Sequence, residues 1–156
     1  MSAPDRDLPD LSALSGMEQL RAVVDGHVPP PGISTLMGMV DMEILGEGSV
    51  AVSLVPGLQH YNPIGSVHGG VHATLLDTAC GCSVHTTLAP GERYTSLDLT
   101  LKFLRGITVD TGPVRAVGTL LQRGRRTALA QARLEDASGR LLAHATSSCL
   151  IVPPPG

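Results

Sequence analysis

A short stretch of this sequence gathers the residue types that chemistry at a carbonyl group requires. Residues 60–77, HYNPIGSVHGGVHATLLD, join a polar, turn-rich loop to a glycine-opened helix whose only acid is Asp77. A carboxylate in so apolar a helix is costly unless it is used or paired. Asp77 is therefore the first candidate for a functional group.

The two glycines at the start of this helix are the second candidate. Gly69 and Gly70 leave the backbone N–H groups of the first turn accessible, and the helix dipole adds partial positive charge there. A carbonyl oxygen that gains negative charge would be stabilised at such a place, so the pair predicts an oxyanion site. A second interpretation stays open, in which the glycines only permit tight packing.

The spacing of these candidates bears on assembly. Asp77 lies eight residues beyond Gly69, which places the two about 12 Å apart along a helix. One helix cannot bring both to the same reacting carbonyl. Two such helices, antiparallel across a two-fold axis, could place each Asp77 beside the other's N-terminus, so we expect the active unit to be an oligomer.

Periodicity predicts the elements that position these groups. Residues 17–24 have apolar side chains at helical spacing, and the PPPG at 29–32 separates this short helix from a helical turn. Residues 39–55 form two alternating runs around the GEG at 46–48, which predicts a β-hairpin. Residues 68–88 contain no proline and have apolar or small side chains at nearly every turn, which predicts a long and largely buried helix.

Four strands are predicted after this helix. Apolar and polar side chains alternate over residues 95–103, which places Thr95 and Leu97 on one face and Ser96 on the other. Three further strands, near 113–122, 126–136 and 140–152, are separated by short turns. Such turns make the sheet mostly antiparallel, so we predict an α+β fold, β-β-α-β-β-β-β, in which one long helix covers the sheet.

The chain is expected to contain one domain. Its 156 residues are 42% hydrophobic, enough for a single core. We divide it into an N-terminal arm with a short helix (1–34), the domain (35–152) and a C-terminal tail (153–156). One helix covers only one face of a sheet, so pairing of sheets or sheet edges between subunits is expected.

Composition excludes several functions. Aromatic residues make up only 2% of the chain, which argues against stacking of nucleic-acid bases. No apolar stretch approaches the roughly 18 residues that span a bilayer, and the first residues lack a basic region followed by an apolar run. Three cysteines, Cys80, Cys82 and Cys149, fit core positions. A reduced, cytoplasmic protein with no nucleic-acid or membrane partner is expected.

The motif N-P-x-G-x-x-H-G-G, followed by an acid seven residues after the second glycine, is present here as Asn62, Gly65, His68, Gly69, Gly70 and Asp77. The later run TSLDLTLKFLR, residues 95–105, is a second match. With these motifs, roughly residues 35–152 resemble the hot-dog-fold acyl-coenzyme A thioesterases of the phenylacetate-pathway (PaaI-like) type. The resemblance implies an antiparallel β-sheet wrapped around one long central α-helix.

The resemblance also implies roles for individual residues. Asp77 resembles the catalytic acid, either the nucleophile or the general base for water. Gly69, together with Gly70 in one version, resembles the backbone donor to the thioester carbonyl, and Asn62 the loop side chain near that carbonyl or the attacking water. His68 resembles the residue that shapes the helix start. Ser96 aligns with a hydroxyl that orients water, although a one-residue shift would select Thr95.

The resemblance further implies a substrate and an assembly. The substrate is an aryl-, phenylacetyl- or medium-chain acyl-coenzyme A, with coenzyme A as part of the substrate and no separate cofactor. The minimal active unit is a homodimer, and a homotetramer of two dimers is expected. Arginine is well suited to phosphate, and the candidates for the coenzyme A phosphates are Arg105, Arg123, Arg125 and Arg126. A solvated turn explains the last three equally well.

Other functions fit the residues less well. His68 and His72 have the spacing of a zinc pair, but the glutamate of a metalloprotease helix is missing, so no metal is expected. No G-x-S-x-G motif is present, and the cysteines have no evident activating partner. Hot-dog hydratases resemble a different loop with a paired Asp and His. A non-catalytic domain that binds or senses acyl-coenzyme A remains the alternative.

Overall fold

The computed structural model describes residues 10–154, so residues 1–9 of the predicted arm and residues 155–156 of the predicted tail lie outside it. Within residues 10–154, three α-helices and seven strands follow one another in the predicted order, and the edge strand predicted as one element is divided into two. They are α1 (Gly16–Val24), α2 (Gly32–Met37), β1 (Met39–Gly46), β2 (Ser49–Leu54), α3 (Gly69–His85), β3 (Arg93–Ser96), β4 (Thr100–Phe103), β5 (Val114–Arg123), β6 (Thr127–Asp136) and β7 (Leu141–Val152).

The strands form one antiparallel sheet in the order β1-β2-β5-β6-β7-β3, and β4 also pairs with β7. Helix α3 packs against β2, β5, β6 and β7, and the buried side chains between them form the core. The predicted α+β hot-dog architecture, a curled antiparallel sheet around one long helix, is confirmed. The division of the chain at residues 34 and 152 stays a prediction.

Helix α3 approaches the sheet unusually closely at Gly118 of β5. A Cβ atom at this position would lie 2.0 Å from the carbonyl oxygen of Ala79, far inside van der Waals contact. Glycine therefore allows the backbone of the helix to lie against the backbone of the strand. This contact fixes the height of α3 above the sheet along the segment that follows Asp77.

The edge strand was predicted as one element over 95–103, and this prediction is wrong in detail. Ser96 pairs with Cys149 and Thr100 pairs with Thr146, so three residues of the edge strand, 97–99, lie opposite two residues of β7. This is a β-bulge. The Asp98 carboxylate accepts a hydrogen bond from the Ser148 N–H at 2.9 Å, and its carbonyl accepts one from the Ser147 hydroxyl at 2.8 Å.

The bulge reverses which side chains of the edge strand face the helix. Before it, the hydroxyl of Tyr94 lies 2.5 Å from the position of a Cβ on Gly81 of α3. After it, the ring of Phe103 lies 2.9 Å from the position of a Cβ on Gly69. Even-numbered side chains thus face α3 in β3, and odd-numbered ones do so in β4, which a regular alternation could not predict.

No helix among residues 10–154 combines the length and the hydropathy needed to cross a bilayer.

Candidate functional site

Asp77 lies on the open face of α3, beside the edge strand. The helix is buried on its sheet side, but Asp77 itself is exposed in the single chain. The cost of burying a carboxylate is therefore not by itself an argument for a function of Asp77. Its carboxylate opens into a groove of about 490 Å³ between α3, α2 and the bulge. The groove is lined by Ile33, Ala73, Thr74, Asp77 and the four residues 96–99.

The choice between Ser96 and Thr95 follows from the bulge. The hydroxyl Oγ of Ser96 lies 3.4 Å from Oδ1 of Asp77. Thr95 is the intervening residue on the strand and therefore points to the opposite face of the sheet. The geometry pairs Asp77 with Ser96, because the extra residue at 97–99 sets the side-chain alternation of β3.

The start of α3 is capped by His68. Its Nδ1 accepts a hydrogen bond from the N–H of Gly70 at 2.8 Å, so this N–H is occupied. Among residues 10–154, no acceptor lies within hydrogen-bonding distance of the N–H of Gly69. Of the two predicted oxyanion donors, Gly69 is therefore the one whose N–H is available. His68 caps the helix start, and the roles of these residues in catalysis stay predictions.

The packing interpretation of these glycines holds as well. A Cβ on Gly69 would press on the ring of Phe103, and a Cβ on Gly70 would lie 2.9 Å from Nδ1 of His68. A side chain at either position would thus require the neighbouring Phe103 or His68 side chain to shift. The absence of a side chain at these glycines has two consequences. Neighbouring side chains can pack closely against the helix start, and a backbone N–H group is left exposed.

Asn62 lies in the loop before α3, where its side chain closes a turn. Its Oδ1 accepts hydrogen bonds from the N–H groups of Ile64 and Ser66, and its Nδ2 donates to the hydroxyl of Ser66 at 3.0 Å. These contacts hold the loop that precedes His68. One Nδ2 proton has no partner among the described residues, so a contact with substrate is compatible with this role in the loop.

The four predicted phosphate-binding arginines do not form one cluster in the chain. Arg105 donates to the carbonyl of Leu141 at the start of β7, whereas the N–H of Ile151 near its end donates to the carbonyl of Arg126. Ten residues of strand separate these contacts, or about 33 Å. Arg123 also forms a salt bridge with Glu92 at 2.9 Å. Arg125 and Arg126 are exposed.

The cysteines fit core positions and not a nucleophile site. Cys80 and Cys149 are buried, Cys82 is half-buried, and all three are free thiols. Burial, with a smaller contribution from the Asp77 carboxylate, raises the pKa of Cys80 and of Cys82 to about 12. Both are therefore protonated near neutral pH, and a thiolate mechanism is unsupported.

The histidines have structural contacts. His60 accepts from the N–H of Gly57 through Nδ1 and contacts the carbonyl of Met37 through Nε2, which ties the loop to the end of α2. His85 contacts Gln19 of α1. Within residues 10–154, no group of three or more His, Cys, Asp or Glu side chains is arranged to hold a metal ion.

The family of the chain follows from comparison with known proteins. Residues 64–143, about half of the chain, match the family described as the thioesterase superfamily. The matched segment contains the helix start, Asp77, Ser96 and the bulge. The chain belongs to the thioesterase superfamily, and thus to hydrolases of thioester or ester bonds.

Solved structures agree with this membership. A phenylacetic acid degradation-related protein of Ralstonia eutropha is 30% identical, with a TM-score of 0.75 over 83% of this chain and 97% of that one. The PaaI protein of the E. coli phenylacetic acid degradation operon is 18% identical, with a TM-score of 0.76 over 89% and 94%. A thioesterase of Haemophilus influenzae is 20% identical, with a TM-score of 0.74 over 88% and 90%. The last two likenesses concern the fold.

Proposed function

We propose that this protein hydrolyses acyl-coenzyme A thioesters, with Asp77 as the catalytic carboxylate. The observation that carries the proposal is an accessible Asp77 that lies on α3 and is paired with Ser96 of β3. The first N–H of the same helix, that of Gly69, is available. The first two groups suit activation of water, and the third suits an oxyanion. The family supports the reaction class, and the acyl and coenzyme A portions are our proposal.

In the general-base version, Asp77 removes a proton from a water molecule that Ser96 orients, and the water oxygen attacks the thioester carbon. The carbonyl oxygen becomes an oxyanion that accepts a hydrogen bond from Gly69 N–H. The C–S bond then breaks, the sulfur leaves as the thiolate of coenzyme A, and the proton held by Asp77 neutralises it. In the nucleophile version, the carboxylate attacks the thioester carbon, the C–S bond breaks and the thiolate of coenzyme A leaves. Water then hydrolyses the resulting anhydride, which restores Asp77, releases the acyl group as the free acid and supplies the proton that neutralises the thiolate.

Two subunits are required in this proposal, because Gly69 and Asp77 lie about 12 Å apart along α3. The edge strand runs antiparallel to α3, with Phe103 beside Gly69 and Ser96 beside Asp77. A two-fold axis near Ala73 and Leu99 would place Asp77 of one subunit at the helix start of the other. We propose this homodimer as the minimal active unit. Two such dimers would associate to form a homotetramer.

The same two-fold axis would bring the separated arginine candidates close together across the subunit interface. It exchanges the two ends of the edge strand, so the partner subunit's Arg105 would approach Arg93, where β3 begins. Arg93 is next to Glu92, which holds Arg123. We propose that the phosphates of coenzyme A bind at this composite basic surface, formed by Arg123, Arg125, Arg126 and the partner subunit's Arg105.

The acyl group would lie against aliphatic surface near Asp77, where Ile33 of α2 and Leu97 of the bulge are both about half exposed. This surface suits aryl, phenylacetyl or medium-length acyl groups, since it offers apolar area and few hydrogen-bonding side chains.

The test is release of free coenzyme A thiol from aryl-, phenylacetyl-, medium- and long-chain esters, with the wild type and Asp77→Asn assayed together. Turnover should fall by about a thousandfold in Asp77→Asn, which keeps the shape of the side chain but removes its basicity. Asp110→Asn, an exposed acid elsewhere, is the matched control and should retain activity. Tight binding of one ester without thiol release would instead identify a non-catalytic acyl-coenzyme A binding domain.

A further inference from the structure

His72 is a buried histidine that the proposed mechanism does not use. It lies one turn into α3 and is 3% exposed. Its Nδ1 contacts the carbonyl oxygen of His68 at 3.3 Å, so the imidazole leans back over the first turn of the helix. Within residues 10–154, Nε2 has no hydrogen-bond partner. An unpaired polar atom at this depth is unusual in proteins.

The contact with His68 determines which nitrogen carries the proton. A carbonyl oxygen can only accept, so Nδ1 of His72 is the donor and Nε2 of the neutral ring presents a lone pair. Burial lowers the pKa of His72, with a further lowering by His68, and the hydrogen bond to the His68 carbonyl opposes it. The ring is therefore neutral near pH 7, and Nε2 is an acceptor without a donor.

His72 lines a cleft at the start of α3 of about 420 Å³. The same cleft is lined by Gly69, whose N–H is available, and by the exposed Arg105. Its walls are apolar and include Val67 and Leu104. An N–H donor for a carbonyl, a buried acceptor and a cation thus share one cleft.

We propose that Nε2 of His72 accepts a hydrogen bond from the amide N–H of the substrate's pantetheine arm that is nearest the thioester. This inference rests on the proposed function, which places the thioester carbonyl at Gly69. The amide nitrogen is four bonds from the carbonyl carbon, and so about 5 Å away at ordinary bond lengths. Gly69 and His72 are three positions apart and so lie on the same side of the helix, at a separation of about 5–6 Å.

Phe103 packs beside the imidazole that carries this acceptor. Its ring packs edge-on against the imidazole of His72, with 5.5 Å between ring centroids, and also contacts Gly69. Phe103 lies on the edge strand and is 59% exposed in the single chain. Movement of its ring away from His72 is part of the proposal. The pantetheine arm would take the place of the ring beside His72.

The experiment compares two small thioesters of the same acid. One is the N-acetylcysteamine thioester, and the other is its 2-acetoxyethyl analogue, in which oxygen replaces the N–H group. We expect the wild type to prefer the amide by about tenfold in kcat/KM. His72→Phe should reduce this preference to about one, and His72→Gln, which keeps an acceptor, should retain part of it. His144→Phe, a histidine of the sheet, should keep the wild-type ratio.

Equal rates for the two esters in the wild type would overturn the inference, whatever the variants do. An amide preference that survives in a folded His72→Phe variant would overturn it as well. In a third outcome, His72→Phe keeps the amide preference but loses a preference for hydroxylated over unsubstituted phenylacetyl groups. The hydrogen-bond donor to Nε2 of His72 would then lie on the acyl group and not on the pantetheine arm. Absence of hydrolysis of every ester would overturn the proposed function itself, and this inference with it.

Discussion

The hydroxyl of Ser96 lies 3.4 Å from the carboxylate of Asp77, across the groove between the edge strand and α3. The two residues are nineteen positions apart in the chain. Their alignment depends on the bulge at 97–99, because the bulge sets which side chains of β3 face the helix. The site therefore depends on the irregular part of the sheet as much as on the helix.

Replacement of Ser96 by Ala should lower kcat by about tenfold, the effect of one hydrogen bond that orients water beside Asp77. Thr95→Ala is the matched control, since Thr95 points away from the groove, and it should retain nearly full turnover. Steady-state thiol release measures both variants. A larger loss in Thr95→Ala than in Ser96→Ala would contradict the assigned geometry.

Replacement of Asp98 by Ala should impair the site through the bulge. It removes the acceptor of the Ser148 N–H and so releases the bulge that directs Ser96. We expect a fall in kcat comparable with that of Ser96→Ala, and a loss of about 1 kcal/mol in the free energy of unfolding. Asp110→Ala serves as control. Unchanged kcat with reduced stability would mean that the bulge does not need Asp98 for its function.

Complementation tests whether the site is shared between subunits. Asp77→Asn removes the carboxylate, and Asn62→Ala disrupts the loop that leads to the helix start, so each variant alone should be nearly inactive. Random mixing makes half of the dimers mixed, and each mixed dimer has one intact site of two. Activity should therefore recover to about a quarter of the wild-type value. No recovery, despite subunit exchange verified by native mass spectrometry, would exclude a shared site.

The contact between α3 and β5 makes a prediction about stability. Gly118→Ala should cost about 3 kcal/mol, because its Cβ would lie 2.0 Å from the carbonyl oxygen of Ala79. The melting temperature should fall by about 10 °C. Gly106→Ala is the matched control, since nothing lies within 4 Å of its Cβ position, and it should change stability little. Calorimetry of both variants measures the difference.

Local patterns were sufficient to predict most of the fold. The apolar run after His68 predicted α3, and the turns at 46–48 and 136–139 predicted two hairpins, because these elements depend on neighbours in the chain. The motif around Gly69 and Asp77 also predicted candidate residues that the structure places on one helix.

The remainder depends on contacts between distant residues. The bulge exists because Asp98 bonds to Ser147 and Ser148, some fifty positions later, and no local pattern indicates that pairing. The cap of α3 is a local contact, because His68 and Gly70 are two positions apart, but the sequence did not indicate which glycine N–H it would occupy. The unpaired Nε2 of His72 could not be predicted either, since it depends on how Phe103 packs.

The one extra residue of the bulge, within 97–99, has opposite effects on the regularity of the edge strand and on the geometry of the site. Deletion of one residue from 97–99 would restore regular alternation and complete the hydrogen-bond ladder with β7. By the usual criteria of protein design, such an edge strand would be the more stable one. The same deletion would reverse the facing of one of the two segments, so that either Ser96 turns away from Asp77 or Phe103 turns away from Gly69. Stabilising designs for this chain should therefore leave the irregularity in place and be directed at other elements of the sheet.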